Sequence, residues 1–224
     1  MERNDAQAPA PGTEAPAPAS RSARIAALTW ADFASDVSEC TACTLCRTRH
    51  RSVPGVGDPH AQWLFVGEAP GAEEDAKGEP FVGQAGRLLD NMLAALGMRR
   101  GDNVYIANIL KCRPPGNRTP TPLETESCLP YLHRQIALIE PRLIVALGKS
   151  AATTLLNVEA SIASLRGRVH RYRSVPLIVT YHPAYLLRNL PDKAKAWEDL
   201  CLARATMRAL QVDAGLQHAA VAPK

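Results

Sequence analysis

The sequence predicts an α/β fold, a parallel sheet covered by helices on both faces. Three observations carry that prediction. Short apolar runs at residues 63–66, 104–110, 143–147 and 176–180 read as strands buried on both sides. Helical stretches separate them, so successive strands are joined by crossovers. Polar turns bearing Gly67, Glu68, Asn108 and His182 fall at or just after strand ends, where ligands gather in such sheets.

Each element has a local cause. Residues 1–22 repeat Ala-Pro steps without hydrophobic periodicity and read as a disordered tail, because they bury too little surface to offset their ordering entropy. Ile25, Leu28, Phe33 and Val37 sit at helical spacing and predict a first helix. The run 63–66 ends in Gly67, a buried strand running into a turn. Leu88, Leu89, Met92, Leu93 and Leu96 mark an amphipathic helix that Gly97 stops. After the strand at 104–110, Thr121-Pro122-Leu123-Glu124 combines a capping box with proline at the first helical position. That helix is expected to run to about Ile139, with Pro130 kinking it or limiting its first part. A strand at 143–147, a short helix at 149–156, a strand at 176–180 and a final helix at 192–210 complete the pattern. The organisation is therefore one domain over 23–211, with a flexible tail at 212–224.

The chain has 224 residues, 46% hydrophobic and 21% charged, with a formal charge of +4, which permits a polyanionic partner without demanding one. The Ala/Pro-rich N-terminus has no apolar signal core, and no run approaches the roughly 18 apolar residues of a membrane span. These features predict a cytoplasmic protein without membrane association.

Of six cysteines, Cys40 and Cys43 form a C-x-x-C pair, while Cys112 and Cys128 follow far downstream. One turn presents both near sulfurs to one ion or cluster, and distant ligands would tie the N-terminal segment to the middle of the chain. By itself the pair suits a zinc half-site or a redox pair equally well. It follows a helix and precedes an Arg-rich loop, which argues against thiol exchange. Cys112 lies in a polar Pro-rich loop, a poor place for an inert thiol, whereas Cys201 reads as a packed thiol in an apolar helix. Cys46 is left open between spare ligand and bystander. Gly148-Lys149-Ser150 has the end of a phosphate loop but Leu143 where the first glycine belongs, which excludes nucleotide hydrolysis of that kind.

Several motifs occur in a fixed order: Cys40-x-x-Cys43, Gly67-Glu68-Ala69-Pro70-Gly71, Glu73-Glu74-Asp75, Pro80-Phe81-Val82-Gly83, Asn108-x-x-Lys111-Cys112-Arg113-Pro114-Pro115 and His182-Pro183-Ala184. Together they resemble the family 4 uracil-DNA glycosylases, the iron–sulfur members of the uracil-DNA glycosylase superfamily, from about Cys40 to Leu200. The resemblance implies a three-layer α/β/α sandwich around a small parallel sheet of about four strands. It also implies a structural [4Fe–4S] cluster on Cys40, Cys43, Cys112 and Cys128. The implied activity is hydrolysis of the N-glycosidic bond of uracil in DNA, single- or double-stranded, releasing uracil from a monomeric enzyme. A sister group bonds covalently to the abasic sugar through a histidine just after the position of Cys112. Residues 113–118 contain no histidine, which implies ordinary hydrolysis and release.

The residues fit that chemistry. His182 is expected to donate to O2 of the departing uracil anion, and Glu68 to position the attacking water and offset the sugar's positive charge. Where several glycosylases of the superfamily carry an aspartate this chain has Ala69, so Glu74 and Asn117 stand as alternatives for the water. Ala69 and Gly71 are carried over from the resemblance as substrate-binding positions. Phe81 offers a face on which the extruded base can stack. The Asn108 amide matches N3–H and O4 of uracil and mismatches cytosine. Arg47, Arg49, Arg51, Lys111, Arg113 and Arg118 are expected to hold phosphates. Leu186 and Leu187, beside Arg188, offer an apolar wedge for the gap a flipped base leaves, against the reading that both are core; at least one is expected in the core. Glu73 and Asp75 are balanced between function and a solvated charged turn. Two other classes remain in view: a non-catalytic iron–sulfur protein that binds DNA or senses redox state, and a zinc-stapled α/β domain.

Overall fold

Four strands lie parallel because each is apolar on both faces and is joined to the next through helix. They are β2 (Trp63–Gly67), β3 (Val104–Asn108), β4 (Leu143–Leu147) and β6 (Val175–Thr180). In this computed structural model, which describes residues 20–221 with side chains to Val212, they form the centre of a six-stranded sheet of order β1-β3-β2-β4-β6-β5. The expectation of about four strands thus covers the parallel core and misses two antiparallel edges, β1 (Val56–Gly57) and β5 (Val169–Tyr172). The first is only a dipeptide. The second is largely exposed and pairs with β6 through a tight turn at Arg173, φ 52°, so neither shows a buried apolar run.

Side chains alternate between two cores. Leu64, Val66, Tyr105, Ala107, Ile144, Ala146, Leu177 and Val179 face one side. There they pack under α1 (Arg21–Ala26), α2 (Trp30–Glu39), α5 (Pro122–Ile139), α6 (Lys149–Leu156) and α7 (Ile162–Leu165). Trp63, Phe65, Val104, Ile106, Leu143, Val145 and Ile178 face the other, against α4 (Gln84–Ala95) and α9 (Asp192–Val221). The period of two in a strand sends its residues to both layers, which is the α/β/α sandwich. Among the described residues no helix is long and apolar enough to cross a membrane.

Several boundaries move. The single first helix is two, α1 and α2. The expected tail over 1–22 lies outside the described residues as far as 19, but Arg21 and Ser22 already belong to α1. The last helix does not stop near 210 but continues to Val221, so most of the expected C-terminal tail is helical backbone, and 222–224 lie outside the described residues. Helix α5 starts at the Thr121 capping box and runs through Pro130 to Ile139 as one element.

Candidate functional site

The carboxyl ends of β2, β3, β4 and β6 open into one cavity of about 450 Å³. Its lining brings together Glu68, Ala69, Gly71, Glu74, Phe81, Asn108, Asn117 and His182, every expected catalytic and substrate-binding residue. Register explains the first pairing: Gly67 and Asn108 are partners across β2 and β3, and Ile109 and Leu110 donate their N–H groups to the carbonyls of Gly67 and Glu68. The ends of the two strands therefore leave the sheet side by side.

Asn108 is 2% exposed, and its Oδ1 has no hydrogen-bond partner. A buried acceptor left unpaired costs about 1–3 kcal/mol, so it points to a donor supplied from outside the chain. Gly67 is required beside it, because a Cβ there would stand 2.6 Å from Phe81 Cζ and collide with Asn108 Oδ1.

His182 caps the short helix α8 (Pro183–Leu186), with Nδ1 accepting the Ala184 N–H at 3.1 Å. With Nδ1 an acceptor, the proton of the neutral ring resides on Nε2, leaving that nitrogen as a donor. Burial, and secondarily Arg188, push the imidazole down to about 4 against an opposing pull from Glu74, so the ring is neutral at physiological pH. Gly148 packs against it with φ +93°, and a Cβ there would lie 2.9 Å from that of His182. The Phe81 ring lies against the imidazole on the pocket side of α4.

The two carboxylates differ in kind. Glu68 is partly buried and pushed above the usual carboxylate range by burial, with the Ser150 hydroxyl opposing. Glu74 has both oxygens engaged: Oε2 accepts the Gly71 N–H at 3.1 Å, and Oε1 accepts those of Val82 at 2.9 Å and Gly83 at 3.1 Å. Glu74 therefore ties α3 (Ala72–Lys77) to the Phe81 loop and is poorly placed to activate water. Asn117 has its Oδ1 on Arg113 Nε at 2.7 Å. Asp75 is buried, not a solvated turn residue, and accepts the N–H groups of His50 and Arg51.

A second pocket is lined by Cys40, Cys43, Cys46, Cys112 and Cys128, brought from the end of α2, the turn after it, the loop after β3 and the middle of α5. Among the described residues no three His, Cys, Asp or Glu side chains converge closely enough to hold one metal ion. Cations and N–H groups point at the sulfurs: Arg21 Nη2 to Cys40 Sγ at 3.4 Å, Arg49 Nη1 to Cys112 Sγ at 3.0 Å and the Lys111 N–H to Cys128 Sγ at 3.3 Å. Burial pushes the Cys128 thiol up to about 12.

Two expected phosphate contacts are corrected. Lys111 is 1% exposed; its Nζ donates to the Asn108 carbonyl at 2.9 Å and to Gln135 Oε1, and burial lowers it to about 8. Arg49 is turned inward to Cys112 and to the Ser38 carbonyl. Arg47, Arg51, Arg118 and Arg188 are exposed; Arg118 and Arg188 line the pocket, and Arg118 donates to both Glu124 oxygens, at 2.8 and 2.6 Å. Leu186 is buried at 1%, in line with the expectation that at least one of the pair is core, and Leu187 is 39% exposed. Arg118, Lys149, Ser150 and Tyr185 also line the pocket; the sequence reading has Arg118 as a phosphate contact, weighs Lys149 and Ser150 only as a phosphate loop, and gives Tyr185 no role. Lys149 and Ser150 follow a strand end as Glu68 does, so the same positional rule would have found them.

Residues 54–201 match the family model described as the uracil DNA glycosylase superfamily. A protein of Archaeoglobus fulgidus named type-4 uracil-DNA glycosylase is 48% identical over 164 residues, 70% of this chain and 82% of its own length. A Thermotoga maritima protein of the same name is 48% identical over 161 residues, 71% of this chain and 83% of its own. A type-5 uracil-DNA glycosylase of Thermus thermophilus is 36% identical over 55% of this chain and 60% of its own length.

Proposed function

Because the chain belongs to the uracil DNA glycosylase superfamily, alongside its type-4 members, we propose that it hydrolyses the N-glycosidic bond of uracil in DNA, releasing free uracil and leaving an abasic site. The observation that carries this reading is the buried, unpartnered Oδ1 of Asn108 in a cavity whose lining also holds a neutral histidine with Nε2 left as a donor.

A uracil swung out of the stack finds both halves of its polar edge matched there. Asn108 Oδ1 accepts N3–H and Nδ2 donates to O4; cytosine, with the reverse pattern, leaves both groups unpaired. Phe81 supports the ring from one face. As the bond to the sugar breaks, charge develops on uracil O2, and His182 Nε2–H stabilises it by hydrogen bonding without proton transfer. Glu68, with its raised proton affinity, holds the water that attacks C1′ and offsets the oxocarbenium charge. Bond cleavage, water addition and proton release balance without a nucleotide cofactor.

The thiol pocket supports a [4Fe–4S] cluster held by Cys40, Cys43, Cys112 and Cys128. The donor set is all thiol, the four cysteines line one pocket, and three donors from Arg21, Arg49 and Lys111 face the sulfurs. Such a cluster, when bound, supplies a cross-link between α2, the loop after β3 and α5, so its role is structural. The protein acts as a monomer in the cytoplasm under this reading, and nothing in the pocket favours a non-catalytic role.

The test is release of free uracil from a uracil-containing oligonucleotide by the purified protein, with iron and sulfide quantified in the same sample. Absence of release from a folded, iron-replete protein sinks the reading.

A further inference from the structure

We infer that Arg100, which lies outside the pocket, is a positioning residue that sets the Phe81 ring by gripping the backbone on either side of it. The inference rests on the reading of the pocket as a base site. Phe81 has φ +55°, a left-handed conformation that a bulky aromatic residue adopts only when its surroundings enforce it.

The enforcement is visible. Arg100 Nη1 donates to the Pro80 carbonyl and Nη2 to the Phe81 carbonyl, each at 2.7 Å. Across the same peptide unit the Val82 N–H donates to Glu74 Oε1 at 2.9 Å. The Phe81–Val82 peptide thus has its oxygen on a guanidinium and its N–H on a carboxylate, and turning it would break charge-assisted bonds at both ends. Asp90 Oδ1 orients the guanidinium, accepting from Nε at 3.1 Å and Nη2 at 2.9 Å. Gly86, in the first turn of α4, leaves room for the Phe81 carbonyl, which any Cβ there would overlap.

Glu74 lines the pocket; Arg100 does not, and four of its five N–H donors go to two carbonyls and Asp90. Arg100 therefore acts on the base only through the ring. That ring has little freedom to be wrong: it fits between the Gly67 backbone and the His182 imidazole, so a rotated peptide would pull the stacking face out of register with the donor.

The experiment compares wild type, Arg100→Met, Arg100→Lys, Phe81→Ala and the Arg100→Met/Phe81→Ala double variant. Readouts are single-turnover uracil release, affinity for an abasic-site oligonucleotide and thermal stability. Arg100→Met is expected to slow release about tenfold, the rate equivalent of one weakened base-stacking contact. Affinity for abasic DNA, which has no base to stack, stays at the wild-type value. Adding Arg100→Met to Phe81→Ala produces no further slowing, because the two act as one unit. Arg100→Lys keeps one donor and recovers part of the rate; it carries the test should the methionine variant fail to fold. Release at the wild-type rate by the Arg100 variants, or equal slowing with and without the Phe81 ring, overturns the inference while leaving the function intact. No release by wild type overturns both.

Discussion

The ring of Phe81 stacks on the imidazole of His182, with centroids 5.5 Å apart and planes 29° apart. One comes from the loop before α4 and the other from the turn after β6, so two distant segments share one wall of the pocket. The surface proposed to support the base and the group proposed to receive its charge are held against each other, so a change to either is felt by both.

Removing the donor leaves a developing anion unassisted. His182→Ala is expected to lower kcat by about 10²–10³, the usual cost of one such hydrogen bond, with DNA affinity nearly unchanged. Single-turnover release and binding of an abasic oligonucleotide measure the two effects separately.

The pH profile follows from two shifted groups. His182 titrates near 4 instead of its ordinary 6.5, so no inflection is expected at the imidazole's usual position. Glu68 is raised above its usual value, and its carboxylate is the working form; the rate therefore falls as pH drops through that raised value, and Glu68→Gln removes this limb along with most of the activity. Stability shows the imidazole instead. Its folded pKa is below its unfolded one, so the unfolded chain takes up the proton more readily; this contribution is intact above 6.5 and lost as pH falls toward 4. Denaturant titrations of wild type and His182→Asn across that window check the sign.

Under the proposed function Asn108 trades stability for recognition. Asn108→Leu removes the unpaired buried acceptor, so unfolding free energy is expected to rise, while uracil release falls at least about 10–100-fold for the lost base contacts of roughly 1–3 kcal/mol. Calorimetry together with release assays on uracil- and cytosine-containing strands decides this; a variant that is both less stable and fully active contradicts it.

Gly67→Ala places a methyl group against Asn108 Oδ1 and the Phe81 ring at once. A folded protein with uracil release reduced by about tenfold or more is expected, since displacement of either group by an ångström misaligns the base. The check is single-turnover release alongside near-UV circular dichroism.

The thiols are expected to separate by role. Cys112→Ser is expected to lower both iron content and melting temperature, because it removes one of the proposed far ligands that would tie the loop after β3 to α2 and α5. Cys46→Ser, at the edge of the implied ligand set, keeps its iron. Metal analysis and thermal melts on the two variants distinguish them.

Much of the site was legible before any coordinates because its logic is local. Gly67-Glu68, Asn108 and His182 each sit at or just beyond the end of an apolar run, and one rule of parallel sheets brings such ends together. The edge strands escaped for an equally local reason: a dipeptide and a mostly exposed strand carry no buried stretch. The capping box at Thr121 and Glu124 marked the start of α5 correctly, while Pro130, the strongest breaker signal in that helix, was outweighed by Tyr131, Leu132, Gln135, Ile136 and Ile139 packed beyond it.

Patterns of apolar and polar residues along the chain were enough to specify the layered sheet, the strand tips and the residue types gathered at them, since hydrophobic periodicity and turn chemistry act over a few neighbours. Whether Lys111 faces phosphate or the interior, whether Glu74 meets water or three backbone N–H groups, and why Phe81 sits at positive φ were set by folding alone. Burial and hydrogen-bond partners depend on groups such as Gln135 and Arg100, 24 and 19 positions away, and such pairings exist only once the layers have closed.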